Sequence, residues 1–168
     1  IIILHRTTSA KTRATATLRQ RHIPPNVSTN GKTLPMNLEL EAKIIERFIN
    51  KAKKDRYLTF IRSDKSRVKF TNELAHFHDF RDDLFEEVKG DVYQTIISRV
   101  NNLKRITDCY LISESSILDQ KRLDINTALR ETIGNGMGTL IVFGDAEIVY
   151  YEGEGPSDRL ISKSTRIK

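Results

Sequence analysis

The 168-residue sequence predicts an α+β fold: N-terminal helices, then a small, mainly antiparallel sheet of three or four strands with one further helix, the sheet covered on one face by helices. Three observations predict it. Apolar residues recur at helical spacing over Leu40–Ala52 and again over Val92–Leu103. Strand-length apolar runs are confined to the second half, at Ile106–Ser113, Thr139–Phe143 and Glu147–Tyr151. Turn residues separate those runs, most plainly Gly144-Asp145, a glycine-first pair suited to a type II′ hairpin.

From Met36-Asn37 the first helix carries Leu40, Ile44, Ile45, Phe48, Ile49 and Ala52 on one side, with Glu39, Glu41, Glu46, Lys43, Arg47 and Lys51 largely on the other. Acids fall in its first turns and bases in its last, as the helix dipole favours, and it is expected to reach about Lys54. Arg56–Ile61 either extends it or forms a short buried segment. Ser63 or Asp64 caps a second helix bearing Val68, Leu74 and Ala75 and ending near Phe77. Asp79–Gly90 reads as a short amphipathic piece with Phe80, Leu84, Phe85 and Val88 on one side. Asp91 caps the next helix, with Val92, Tyr93, Ile96, Ile97, Val100 and Leu103 as its stripe. Asp124 caps a short helix through Ile133, Leu123 is placed to staple onto Ala128, and Gly134 is its C-cap. Arg159–Lys163 supplies a final short strand. Ile44, Phe48, Ile96, Val100, Leu111, Ile141 and Phe143 are expected in the core.

The charge is divided unevenly. The chain is +6, from 28 Lys/Arg against 22 Asp/Glu. Residues 1–35 hold six of the bases and no acid, so the remainder, 22 against 22, is neutral. Rich in Thr, Ser, Arg and Ala, broken by prolines and lacking any sustained period, residues 1–35 are expected to be a disordered basic arm. They read as sequence upstream of a start at Met36, as an organellar transit peptide, or as an arm that binds nucleic acid through Arg13, Arg19 and Arg21. A secretory leader is disfavoured, because a long apolar stretch is missing. Residues 36–168 are expected to form one domain, whose neutral total argues against a domain-wide nucleic-acid surface. No apolar run approaches the roughly 18 residues of a membrane helix. The lone Cys109 has no intrachain disulfide partner, which fits a cytoplasmic protein.

The densest titratable cluster is His76-Phe77-His78-Asp79 with Asp82 and Asp83. His-x-His puts both imidazoles on one side of a strand, where two ligands can reach one metal, but splays them on a helix. A solvated loop with capping aspartates is the plainer reading. Gly134-Asn135-Gly136-Met137-Gly138 looks like a phosphate-cradling loop, but it follows a helix and precedes a strand, the reverse of the order such loops need. A helix-to-strand turn with positive φ accounts for it. Glu114, Asp119, Asp124 and Glu152 lie at strand ends, where carboxylates can pair for acid–base work or simply face solvent. Ser113, Ser115 and Ser116 lack a glycine-flanked elbow, and Cys109 inside an apolar strand reads as an inert small hydrophobe. Tyr150 and Tyr151 point to opposite faces of one strand, so on a one-sided sheet one of them faces solvent, beside the acidic Glu152–Glu154 loop.

Asp108–Glu114, Gly136–Thr139 and Tyr150–Glu154 together resemble a group of small bacterial proteins of unknown function, over about the last 60 residues. The resemblance implies a bacterial-type cytosolic domain and no particular activity. The residues themselves favour a protein-interaction module of the immunity or accessory-factor type, with no cofactor, no membrane role and Tyr150, Tyr151, Glu152 and Glu154 as candidate partner-binding residues. The acidic loop would favour a basic protein partner. The alternatives are a metal-dependent hydrolase using His76, His78, Asp79, Asp82 and Asp83, and nucleic-acid binding through the arm.

Overall fold

The structure is a computed structural model that describes residues 37–103, 106–155 and 157–163. The basic arm, with Arg13, Arg19 and Arg21, lies outside the described residues. The element order is α1 (Leu38–Phe48), α2 (Lys54–Phe60), α3 (Asp64–Glu73), single 3-10 turns at Leu74–His76 and Asp82–Leu84, β1 (Phe85–Glu87), α4 (Val92–Val100), β2 (Asp108–Ser113), β3 (Arg122–Asp124), α5 (Ile125–Thr132), β4 (Thr139–Phe143), β5 (Ile148–Glu152) and β6 (Arg159–Ser162). No described helix is long and apolar enough to cross a membrane.

All six described strands join one antiparallel sheet in the order β1-β6-β5-β4-β2-β3. The fold is α+β as expected, but with six strands in place of three or four, and with helices interspersed among them. The two extra strands, β1 and β3, are three residues each and sit at the edges. Short charged edges resist pairing with other chains, and they leave almost no alternating signal in a sequence. The amphipathic piece at Asp79–Gly90 is accordingly a 3-10 turn followed by β1 rather than a helix.

Helices cover both faces of the sheet, which corrects the one-sided expectation. Tyr110, Ile112, Leu140, Val142, Val149 and Tyr151 pack with the apolar residues of α1, α2 and α3. Cys109, Leu111, Ile141, Phe143, Ile148 and Tyr150 pack with those of α4 and α5. The alternation of side chains along each strand thus feeds two separate cores. The first is aromatic: Phe77 meets Phe80 edge to face at 4.5 Å between ring centres, and Phe80 meets Tyr151 at 5.1 Å. All seven residues expected in the core are buried.

Local rules set the helix ends. Asn37, Ser63, Asp91 and Asp124 each accept a backbone N–H in the first turn of α1, α3, α4 and α5. The helix α1 stops at Phe48, short of Lys54, because Ile49 turns extended and bridges to Phe80; Asn50 N–H donates to Asp79 O at 2.9 Å and Arg81 N–H to Phe48 O at 2.9 Å. Arg56–Ile61 then lies within and just after a separate helix, α2. Val68, expected among the apolar residues of its helix, is 53% exposed, and Phe70 is buried. Arg67, Phe70, Thr71 and Leu74 form the inward stripe. The β4–β5 connection is a four-residue turn with positive φ at Gly144 and Ala146, not a two-residue hairpin.

Phe143 is fully buried between α4, α5 and the sheet. Phe143→Ala is expected to lower unfolding free energy by about 3–5 kcal/mol in denaturant titration.

Candidate functional site

The histidine cluster is positioned by a clamp from the sheet. Tyr151 on β5 donates its hydroxyl hydrogen to Leu74 O at 2.7 Å and accepts the Phe77 N–H at 3.0 Å. Glu154 N–H donates to Ala75 O at 3.1 Å. Gly138, just before β4, lies so close that an added β-carbon would stand 2.2 Å from the Leu74 carbonyl carbon. That close approach, with positive φ at Gly134 and Gly136, accounts for the glycine-rich segment as a packed helix-to-strand turn.

Held this way, His76 and His78 border one depression of about 410 Å³ together with Tyr57, Asn72, Glu73, Phe77 and Asp79. His76 points outward and meets Glu154 at 3.3 Å, both exposed. Asp79 turns inward: it takes the Tyr57 hydroxyl at 2.7 Å and the Asn50 amide at 3.4 Å. The Tyr57 hydroxyl also lies 2.5 Å from Glu73, which pairs with Arg56. Its single proton is therefore shared between two carboxylates. Asp82 and Asp83 belong instead to a wider cleft of about 940 Å³, with Asn50, Lys51, Lys54, Asp55, His78 and Arg81 on its walls. Arg81 pairs with Asp83 at 2.7 Å and holds that carboxyl below its ordinary value. The five candidate ligands thus divide between two depressions. Among the described residues no group of three or more His, Cys, Asp or Glu is placed to hold a metal ion.

The surface role expected of the tyrosine pair meets a clear correction. Tyr150 is 0% exposed and Tyr151 2%, because each face of β5 has its own helical layer. The β4–β5 hairpin is central in the sheet and offers no free edge. Glu152 is also buried. It accepts the Gly134 N–H at 2.7 Å, Arg159 Nη2 at 3.0 Å and the Tyr150 hydroxyl. Glu154 remains exposed but pairs with His76. Of the two acids of the loop, Glu152 is thus turned inward onto Arg159.

A second buried network has no counterpart among the residues that the sequence singles out. Glu41, expected on the polar side of α1, is fully buried. Arg67 grips it through Nε at 2.9 Å and Nη2 at 2.7 Å, and reaches Asp119 through Nη2 at 2.9 Å. The Tyr110 hydroxyl adds a bond to Glu41 at 2.8 Å, and Asp119 accepts the Ser113 N–H at 3.0 Å. Burial opposes the Arg67 charge, yet its hydrogen bonds to Glu41 and Asp119 and their charges outweigh that, holding the guanidinium above its ordinary value. The available signal was phase: Arg67 shares its helix face with Phe70 and Leu74. Burial pushes the Cys109 thiol up to about 12, which removes it as a nucleophile near neutrality.

Two outcomes follow from these networks. Glu41→Ala leaves a buried guanidinium half-compensated and is expected to cost about 3–5 kcal/mol by denaturant titration. Asp119→Asn, at a partly exposed partner, is expected to cost less, about 1.5–3 kcal/mol. Burial also raises the Tyr57, Tyr110, Tyr150 and Tyr151 hydroxyls above 10.0, Tyr151 to about 12. The folded state favours the neutral phenols. Their contribution is fully present below pH 10, where the unfolded groups ionise, and declines above it, through about pH 12 for Tyr151 and further still for the other three. Phenolate absorbance of these four should therefore rise only together with loss of far-ultraviolet dichroism, above pH 10. No family model, curated protein or solved structure matches the chain.

Proposed function

We propose that the chain is a protein-binding module of the immunity or accessory-factor type that works without catalysis. One observation carries this reading: two clusters of buried or half-buried ionisable side chains are turned inward toward one another. Glu41 faces Arg67 and Tyr110, and Glu152 faces Arg159 and Tyr150. Catalytic groups with perturbed ionisation instead face a cleft that a substrate can enter. Here both clusters are fixed in the two cores, and the depressions, one of them bordered by the Tyr57 hydroxyl that Glu73 and Asp79 already engage, present exposed side chains already paired, such as His76 with Glu154 and Arg81 with Asp83.

The hydrolase reading draws on a specific observation too, the shared depression of His76, His78, Glu73 and Asp79. A single set of measurements separates the two. The full chain, tested on ester, phosphodiester and peptide substrates with and without Zn²⁺, is expected to show no turnover. A partner recovered with it is expected to form a complex when both proteins are purified and mixed, unaffected by chelator and by the His76→Ala/His78→Ala double variant. Turnover that vanishes in the double variant would establish the hydrolase. Salt-sensitive binding of the full chain to nucleic acid, lost on replacing Arg13, Arg19 and Arg21, would favour the arm instead.

A further inference from the structure

The loop between β2 and β3, residues 114–121, is held more firmly than a connection requires. The buried Arg67 fork fixes Asp119, and Asp119 in turn caps the Ser113 N–H. Gln120 adopts φ 59°, a left-handed conformation unusual for its type, and closes the loop by donating to Leu111 O at 2.9 Å. At the other end Glu114 bonds the Gly138 turn in both directions, N–H to Gly138 O at 3.0 Å and Oε1 to Gly138 N–H at 2.9 Å. At the tip of this anchored loop stands Ile117, 72% exposed. Val68 follows Arg67 on α3 and is 53% exposed; Met137 precedes Gly138 and is 37% exposed. Singly exposed apolar side chains are ordinary. Three of them, however, stand on segments that the Arg67–Asp119 and Glu114–Gly138 bonds tie to one loop, each within two residues of those bonds.

Charge selects the occupant. Lys65 and Lys69 share the outer face of α3 with Val68, and Lys121 ends the loop; all three are exposed. They make no ion pair among the described residues, and Lys69 only approaches the Phe60 ring at 5.8 Å. The neighbouring acids are engaged: Asp119 by Arg67, Glu114 by Gly138, Glu73 by Arg56 and Tyr57. Asp64, in the first turn of α3, and Glu154, beside the Gly136 turn and facing His76, are the exposed exceptions. A second copy of the chain would bring lysines against lysines across this surface.

Building on the binding-module reading, we propose that Ile117, Val68 and Met137, rimmed by Lys65, Lys69 and Lys121, dock an acidic segment of a partner protein that carries large apolar side chains. A loop already fixed in its bound shape loses little entropy on association, so a small apolar anchor suffices. The lysines orient and speed the encounter.

The test uses a displayed library of random short peptides selected on the full chain, with the selected sequences then synthesised. They are expected to combine large apolar residues with Asp or Glu. Their affinity should fall about tenfold or more with Ile117→Ser and with Val68→Ser, and be unchanged by Lys89→Ser beside the opposite sheet edge. Lys65→Glu/Lys69→Glu should weaken them similarly, with binding restored by peptides in which Lys replaces the acids. Melting temperatures should be unchanged in the two serine variants, since both side chains are exposed. Selection that yields basic peptides, no binder, or binders indifferent to Ile117 and Val68 would overturn this surface. A reconstituted partner complex indifferent to Ile117 would overturn it while leaving the binding-module reading intact.

Discussion

A sheet whose central strands are apolar on both faces must be covered twice, and the rest of this architecture follows from that demand. In β2, β4 and β5 nearly every residue is buried, whichever way it points. One helical layer could hide only half of those side chains. The chain supplies α1 to α3 for one face before the central strands are made, and α4 and α5 for the other. Backbone hydrogen bonding across the sheet then places both layers at once, because alternate residues of each strand serve opposite cores.

Two buried polar networks tie these layers to the sheet. Glu41, Arg67 and Tyr110 join α1, α3 and β2 on one side; Tyr150, Glu152 and Arg159 join β5, β6 and the turn after α5 on the other. Such groups are costly to bury and therefore tolerate few alternative arrangements. Apolar contacts favour compaction in many registers, whereas a guanidinium fork matched to one carboxylate favours one. The Arg67 network also extends outward to Asp119, so a loop on the surface inherits the rigidity of the core.

The long elements were legible because their periods repeat several times. Helices α1 and α4 show apolar stripes over three turns, and β4 shows as an unbroken apolar run. That unbroken run, Thr139–Phe143, also held the information that was misread: a strand buried on both faces loses its alternation, and Tyr150-Tyr151 should then be two interior residues rather than one. Edge strands β1 and β3 were not legible, since three residues give no period and their charges resemble loops. At the candidate sites, His76 and His78 could be named but not placed, as their geometry depends on Tyr151, far along the chain. Arg67 and Glu41 were hidden because a buried ion pair has no pattern until both partners are in space.

The position of β6 has a consequence for how the molecule is assembled. It is the last of the described strands, yet it lies second from the edge, and among the described strands β1 pairs with β6 alone. During synthesis β1 therefore leaves the ribosome long before its neighbour exists. Phe85 and its aromatic surroundings can gather against α1, but the strand itself must wait for Arg159–Ser162 to emerge. Closing that gap late, between residues distant in sequence, means that the sheet is completed only after β6 has been made.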